Sequence, residues 1–293
     1  MRVPELPEVE VTRQRIGPLL VGRRIRSVAT TRQSTFFLTR PAALRRGLVG
    51  RTVRALDRRG KYLVATLDDD ARLVLHLGMT GQLFSDRATS PRLLSASARV
   101  ALSPEEQRAF RPDAHTHLRL AFDDLGPEVC LRDVRKFGKV LLLRSGEEHE
   151  RLERLGKDAL LLEGADLFAA SRGRRVATKA LLLDQSIVTG IGNIYADEAL
   201  FRASVRPTRR AASLTRRDCA ALADAVREVL RRSIETGGSS IRDYVAPDGA
   251  DGAYQDERRV YARTGAACLV CGARIRRVLV AQRGTHYCPK CQR

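Results

Sequence analysis

The last 26 residues hold four cysteines spaced as Cys268-x2-Cys271, sixteen intervening residues, and Cys288-x2-Cys291. No other feature restricts the fold of this 293-residue chain as tightly. Two Cys-x2-Cys knuckles joined by a hairpin gather four thiolates tetrahedrally around one Zn2+. Four thiolates close the metal's shell, so the zinc is structural and offers no position for a reactive water. Four unrelated cysteines at this spacing are the weaker reading. Val278, Val280 and Tyr287 are the expected packing residues of the hairpin. Gln282, Arg283 and Gly284 are expected at its turn, where Arg283 can reach a phosphate. His286 reads as a polar hairpin residue rather than a ligand. Cys130 and Cys219 stand apart and read as small buried hydrophobes. Thiols clustered in this way suit a reducing compartment, and a cytoplasmic location is expected.

Upstream, the pattern divides the chain. From "RRIRSVATTR" to "EVCLRDVRKFGKVLLLR", short alternating apolar runs punctuated by Gly, Asp and Pro read as strands. An Arg-, Ser- and Ala-rich stretch from Asp86 to Asp113 reads as a long surface insertion. Before the strands, Pro7, Glu8, Glu10 and Gly22 frame a helix with Val9, Ile16, Leu19 and Leu20 on one face. From about Gly146 helices dominate. "ALLLDQSIVTGIGNIYADEALFRA" reads as two segments split by a glycine turn, and a capping box of Thr215 and Asp218 opens a long helix that Gly237-Gly238 ends. The segment 239–263 has no steady period and reads as a mobile loop. The expected domains are 1–145, 146–240 and 241–293.

Charge then narrows the function. Net charge is +19, with six lysines among 53 basic residues. A compact chain that basic repels itself unless it meets a polyanion, which points to nucleic acid. Arg/Ala compositional bias is the bland alternative. Aromatic residues are 5% of the chain and Trp is absent, which argues against a broad stacking platform. No apolar run reaches the ~20 residues of a membrane span, and the start lacks a signal-peptide core.

Three loops carry candidate contacts. The "TGIGNIYADEAL" turn can offer amides near Asn193 to a phosphate, although a tightly packed helical hairpin explains it equally well. "HLGMTG" presents Met79, and "DVRKFGK" presents Arg135 and Phe137. Each could be partial core, or a wedge that fills the gap left by an extruded base.

Taken in order, "PELPEVE", "GKYL", "HLGMTG", "HTHLRL", "DVRKFGK", "LLDQ…GIGNIYADE", "GGSSIRDY" and the four-cysteine ribbon resemble the bacterial formamidopyrimidine-DNA glycosylase family. The resemblance runs from Pro4 to the end, apart from the insertion. Pro-Glu-Leu rather than Pro-Glu-Gly favours its purine-lesion branch over the endonuclease VIII type. The resemblance implies an α+β fold: an N-terminal β-sandwich with flanking helices, and a helical C-terminal domain with a helix–two-turn–helix motif and zinc ribbon. DNA is then expected in the cleft between the domains. It further implies excision of oxidised purines followed by nicking, by a monomer acting at the nucleoid on double-stranded DNA with oxidised bases or abasic sites. By the same resemblance Pro4 is the nucleophile and Glu5 shuttles protons, with Glu8 a carboxylate behind it. Lys61 and Arg283 assist elimination or grip phosphates. His115, Arg135, Arg174, Lys179, Asn193, Met79 and Phe137 contact DNA. Two alternatives stay open: an endonuclease VIII-like enzyme for oxidised pyrimidines, and a damage-binding homologue without the nucleophile.

The chain departs from that pattern in one place. In the family the proline is the first residue, whereas here Met1-Arg2-Val3 precede it. An internal proline nitrogen is a tertiary amide and cannot attack. The expectation is that the codon for Val3 is the true start, read as Met and then removed to leave Pro4 with a free secondary amine.

Overall fold

The computed structural model describes residues 4–88, 112–239, 247 and 252–293. The expectations for residues 1–3, for most of the insertion, and for much of the segment 239–263 lie outside the described residues. The chain forms two compact units, Met1–His149 with Gly237–Ala253, and Glu150–Thr236 with Tyr254–Arg293.

In the first unit the alternating runs become strands β1 (Ile25–Thr30), β2 (Val53–Arg59), β3 (Tyr62–Leu67), β4 (Arg72–His76), β5 (Gly81–Ser85), β6 (Thr116–Phe122), β7 (Val129–Asp133) and β8 (Lys139–Leu143). They pair antiparallel in two four-stranded sheets, ordered β1-β6-β7-β5 and β2-β3-β4-β8. Every second residue of a strand faces the same way, so Leu118, Leu120 and Phe122 of β6 enter the core together. There they meet Leu63, Ala65 and Leu67 of β3 and Leu73 and Leu75 of β4. This is the expected sandwich.

Two helices complete that core. Helix α1 (Leu6–Leu20) contributes Val9, Ile16 and Leu20, and α2 (Pro41–Leu48) contributes Leu44 and Leu48. Helix α1 begins where expected, with Pro7 in its first turn and Glu8 accepting the Glu5 amide. Gly22, at φ +81, turns the chain after its end.

The second unit is helical. Its labelled helices are α3 (Gly164–Ser171), α4 (Thr178–Leu183), α5 (Asn193–Arg202) and α6 (Arg216–Glu235). Helix α6 buries Cys219, Leu222, Val226, Val229 and Leu230 against α3 and α5. The short strands β9 (Lys157–Asp158) and β10 (Val188–Thr189) pair in parallel. A C-terminal hairpin joins β11 (Arg276–Val280) to β12 (Arg283–Tyr287). Its turn falls one residue earlier than expected. Val280 pairs with Arg283, so Ala281 and Gln282 form the turn at φ 46 and 58, and Arg283 opens the returning strand. Among the described residues no helix is long and apolar enough to cross a membrane.

The capping box of α6 is formed as the sequence suggested. Thr215 Oγ1 accepts the Asp218 amide at 3.1 Å, and Asp218 Oδ2 accepts the Thr215 amide at 2.9 Å. Thr215→Ala should cost about 1 kcal/mol of stability, and Thr215→Ser should cost less. Thermal unfolding of the two variants side by side measures the difference.

Candidate active site and zinc centre

Pro4 and Glu5 are buried at the start of α1. Glu8, one helical turn on, is only 3% exposed and divides its oxygens between two amides. Oε2 accepts Glu5 N–H and Oε1 accepts Ser239 N–H, both at 2.9 Å. A carboxylate in the first turn also complements the positive end of the helix. In the second turn of α1, Glu10 accepts Arg13 and, at 2.9 Å, Arg58. Burial alone would raise the Glu10 carboxyl's pKa, but the two guanidiniums outweigh it and hold the carboxyl below its ordinary value. Arg58 in turn donates to Gly60 O at 3.1 Å. That chain of contacts ties the Gly60-Lys61 turn between β2 and β3 to α1, and Lys61 is half-buried there.

The loops that carry Met79, His115, Arg135 and Phe137 meet at one buried acid, Asp133, which is 0% exposed. Asp133 Oδ1 accepts Thr80 Oγ1 at 2.5 Å and Arg135 N–H at 3.2 Å, and Oδ2 accepts Gly138 N–H at 2.7 Å. Its own amide donates to His115 O at 2.9 Å, and its carbonyl oxygen lies 2.9 Å from His117 Nε2. The tip 134–138 is thus wound around a single carboxylate. Lys136 takes φ 55 to complete the curl. Phe137 stays 45% exposed, with the Arg135 guanidinium carbon 4.7 Å from its ring centre. The Met79 tip lies against it. Gly78 sits at φ +62, and a Cβ there would come within 2.4 Å of Gly138 N and 2.5 Å of Phe137 C. Only glycine allows the two backbones to approach so closely.

In the second unit Asn193 opens α5, and its Nδ2 donates to Gly284 O at 3.0 Å. The Lys179 ammonium donates to the same carbonyl at 3.3 Å and to Thr285 Oγ1 at 2.9 Å. Lys179 was expected to contact a phosphate directly. It is instead wholly enclosed at 0% exposure, 2.6 Å from Asp197 Oδ1, so its charge is met inside the protein. Asp197 Oδ2 accepts His286 N–H at 2.8 Å and lies 3.1 Å from His286 Nδ1. Glu198 accepts the amides of Arg259, Val260 and Tyr261 at 2.8, 3.0 and 2.7 Å. Burial pushes the Glu198 carboxyl up despite those three donors. Arg283 is exposed one residue before this network, whereas Arg174 is exposed elsewhere, on the loop after α3.

Asp133, Asp197 and Glu198 lie inside the "DVRKFGK" and "GIGNIYADE" motifs, yet local pattern does not single them out. Their signal is an acid inside an apolar stretch, since a buried carboxylate must be met by donors.

The Sγ atoms of Cys268, Cys271, Cys288 and Cys291 all lie within 4.8 Å of one another. Cys268 and Cys291 are 3.9 Å apart, and Cys271 and Cys288 are 3.4 Å apart. A tetrahedral ZnS4 site with ~2.3 Å bonds has S···S edges of ~3.8 Å, so the four cysteines fit one structural zinc. His286 faces Asp197 and is not part of the cluster.

Three outcomes follow from the geometry of these sites. Cys288→Ser should lose zinc, read as metal per chain, while the first unit keeps its own unfolding transition. Asp133→Ala should lower the first unit's stability by about 3 kcal/mol, because buried donors lose their acceptor. Arg135→Ala, at an exposed site, should change it by less than about 0.5 kcal/mol. Thermal melts of the two variants compare them directly.

Family models match along the chain. The formamidopyrimidine-DNA glycosylase N-terminal domain covers residues 3–140, the H2TH domain of the same glycosylase covers 155–245, and a zinc finger found in FPG and IleRS covers 265–293. The formamidopyrimidine-DNA glycosylase of Halorhodospira halophila is 42% identical over 99% of this chain and 100% of its own length. That of Geobacter sulfurreducens is 40% identical with the same coverage. Among solved structures, the MutM (Fpg) protein of Thermus thermophilus is 38% identical, with a TM-score of 0.82 over 99% of this chain and 98% of its own. Lactococcus lactis Fpg in complex with abasic-site DNA is 34% identical, with a TM-score of 0.82 over 99% of both chains. Full-length identity, all three domains and the four-cysteine site agree: the chain belongs to the formamidopyrimidine-DNA glycosylase family.

Proposed function

We propose that the chain is a bifunctional DNA glycosylase and abasic-site lyase that removes oxidised purines, 8-oxoguanine and formamidopyrimidines, from double-stranded DNA. The observation that carries this reading is the buried Pro4-Glu5 pair at the start of α1, locked by Glu8. With its nitrogen as a free α-amine, Pro4 would titrate near ~8 rather than near the ~10.4 of lysine. A useful fraction is therefore an unprotonated nucleophile at neutral pH. The nitrogen bonds to the sugar's anomeric carbon as the bond from that carbon to the base breaks. Glu5 takes up the proton that the bonded nitrogen sheds and delivers protons to the ring oxygen and to the departing base. The ring opens and leaves an iminium, an electron sink that acidifies the adjacent sugar carbon. Loss of that proton expels the 3′ phosphate, and a second elimination expels the 5′ phosphate. Lys61 and Arg283 serve these steps as acids or phosphate grips.

The remaining assignments follow from where the residues sit. Met79, Arg135 and Phe137 form one wedge for the gap left by an extruded base, since their tips touch and Phe137 is exposed. His115, Asn193 and Arg174 contact the strand. Segments 1–145, 146–240 and 241–293 act as catalytic, strand-gripping and lesion-loop-plus-zinc parts. The protein works as a monomer on the bacterial nucleoid in the cytoplasm. The zinc only shapes the ribbon that carries Arg283.

Borohydride trapping on abasic duplex tests the reading. Protein that begins at Pro4 should cross-link, and Pro4→Gly should weaken trapping by well over ~10-fold, about 1.4 kcal/mol of barrier. Cross-linking by chains that retain Met1-Arg2-Val3 would sink the proline mechanism. A protein beginning at Pro4 that only shifts lesion DNA in a gel is a damage binder. Cleavage of oxidised pyrimidines in preference to 8-oxoguanine would move the chain to the endonuclease VIII type.

A further inference from the structure

We propose that Asp197 is a positioning residue for Arg283, acting through the buried pair it forms with Lys179. The proposal rests on the reading of Arg283 as a residue that serves strand elimination. The pair holds three consecutive residues that follow Arg283. Lys179 Nζ donates to Gly284 O and to Thr285 Oγ1, and Asp197 Oδ2 accepts His286 N–H. Gly284 O also takes Asn193 Nδ2, so one carbonyl next to Arg283 is held by two donors from two helices.

The hairpin alone does not explain this arrangement. Its turn places Ala281 and Gln282, two residues with a Cβ, in left-handed backbone, a conformation that needs support from outside the turn. Lys179 and Asp197 are both 0% exposed, and the burial of two charges costs more than packing two apolar side chains of like size. A site that needed only cohesion would be served by Leu or Met. A charge pair adds direction, since each of its atoms must point at a particular partner. Here those partners belong to the strand that begins with Arg283. Asp197 touches neither Arg283 nor any reacting atom, so it acts through backbone placement.

The test uses the full, zinc-loaded chain with Pro4 at its start. Either single neutral variant leaves a charge buried without its partner and can unfold the unit. The main variant is therefore Lys179→Met with Asp197→Asn, which buries no charge and keeps an oxygen for the His286 amide. If that protein loses its zinc, Thr285→Val, which removes a hydroxyl that Lys179 meets and leaves the charge pair whole, carries the same measurements. Amide exchange across 284–286 should quicken by ~10-fold or more. Borohydride trapping should stay within ~3-fold of the parent, while the ratio of δ- to β-elimination product falls by ~5-fold. Arg283→Ala should shift that ratio in the same direction. A variant with parental exchange and a parental product ratio overturns the role of Asp197. An Arg283→Ala protein with a parental ratio overturns the Arg283 reading itself, so the two failures are told apart.

Discussion

A carboxyl group taken out of water must have its oxygens met by donors. In this chain that requirement sets the shape of the functional loops. Glu8, Asp133, Asp197 and Glu198 are each at most 3% exposed, and each accepts backbone amides. The amides come from the ends and edges of the fold: the start of α1 with Ser239, the 134–138 tip, the short strand β12, and the 259–261 turn. Short segments of this kind make few backbone hydrogen bonds among themselves. A buried acid that collects their amides supplies the missing partners.

The scaffold beneath depends on different physics in each part. The first unit buries one continuous apolar core between two sheets, with helices closing it. The ribbon 265–293 is too short for that, and its small cluster of Val260, Cys268, Ile275, Cys288 and Phe201 includes two of the metal-binding cysteines. Zinc supplies the cohesion that the ribbon's length denies it. Arg283 therefore stands on a strand held on one side by metal and on the other by helices α4 and α5.

Signals carried by neighbouring residues were legible in the sequence. The cysteine spacing announced the zinc site, Thr215 with Asp218 announced the start of α6, and alternation announced the strands. Signals that depend on distant partners were not. Lys179 looks like any surface lysine until Asp197, on another helix, encloses its ammonium. Asp133 lies inside "DVRKFGK", but its hold on Thr80 spans 53 residues of chain. The hairpin turn was placed one residue late because Ala281 and Gln282 are not turn formers, and only the pairing of Val280 with Arg283 reveals them.

The contact at Gly78 has a mechanical consequence. The 77–80 segment crosses from β4 in one sheet to β5 in the other, and 134–138 crosses back from β7 to β8. These two crossings abut at Gly78 with no room for even a methyl group. Met79 and Phe137 therefore ride on a single stiff prow rather than on two independent fingers. A load on either ring or thioether passes into both sheets at once, and neither tip can retreat without pushing on the other.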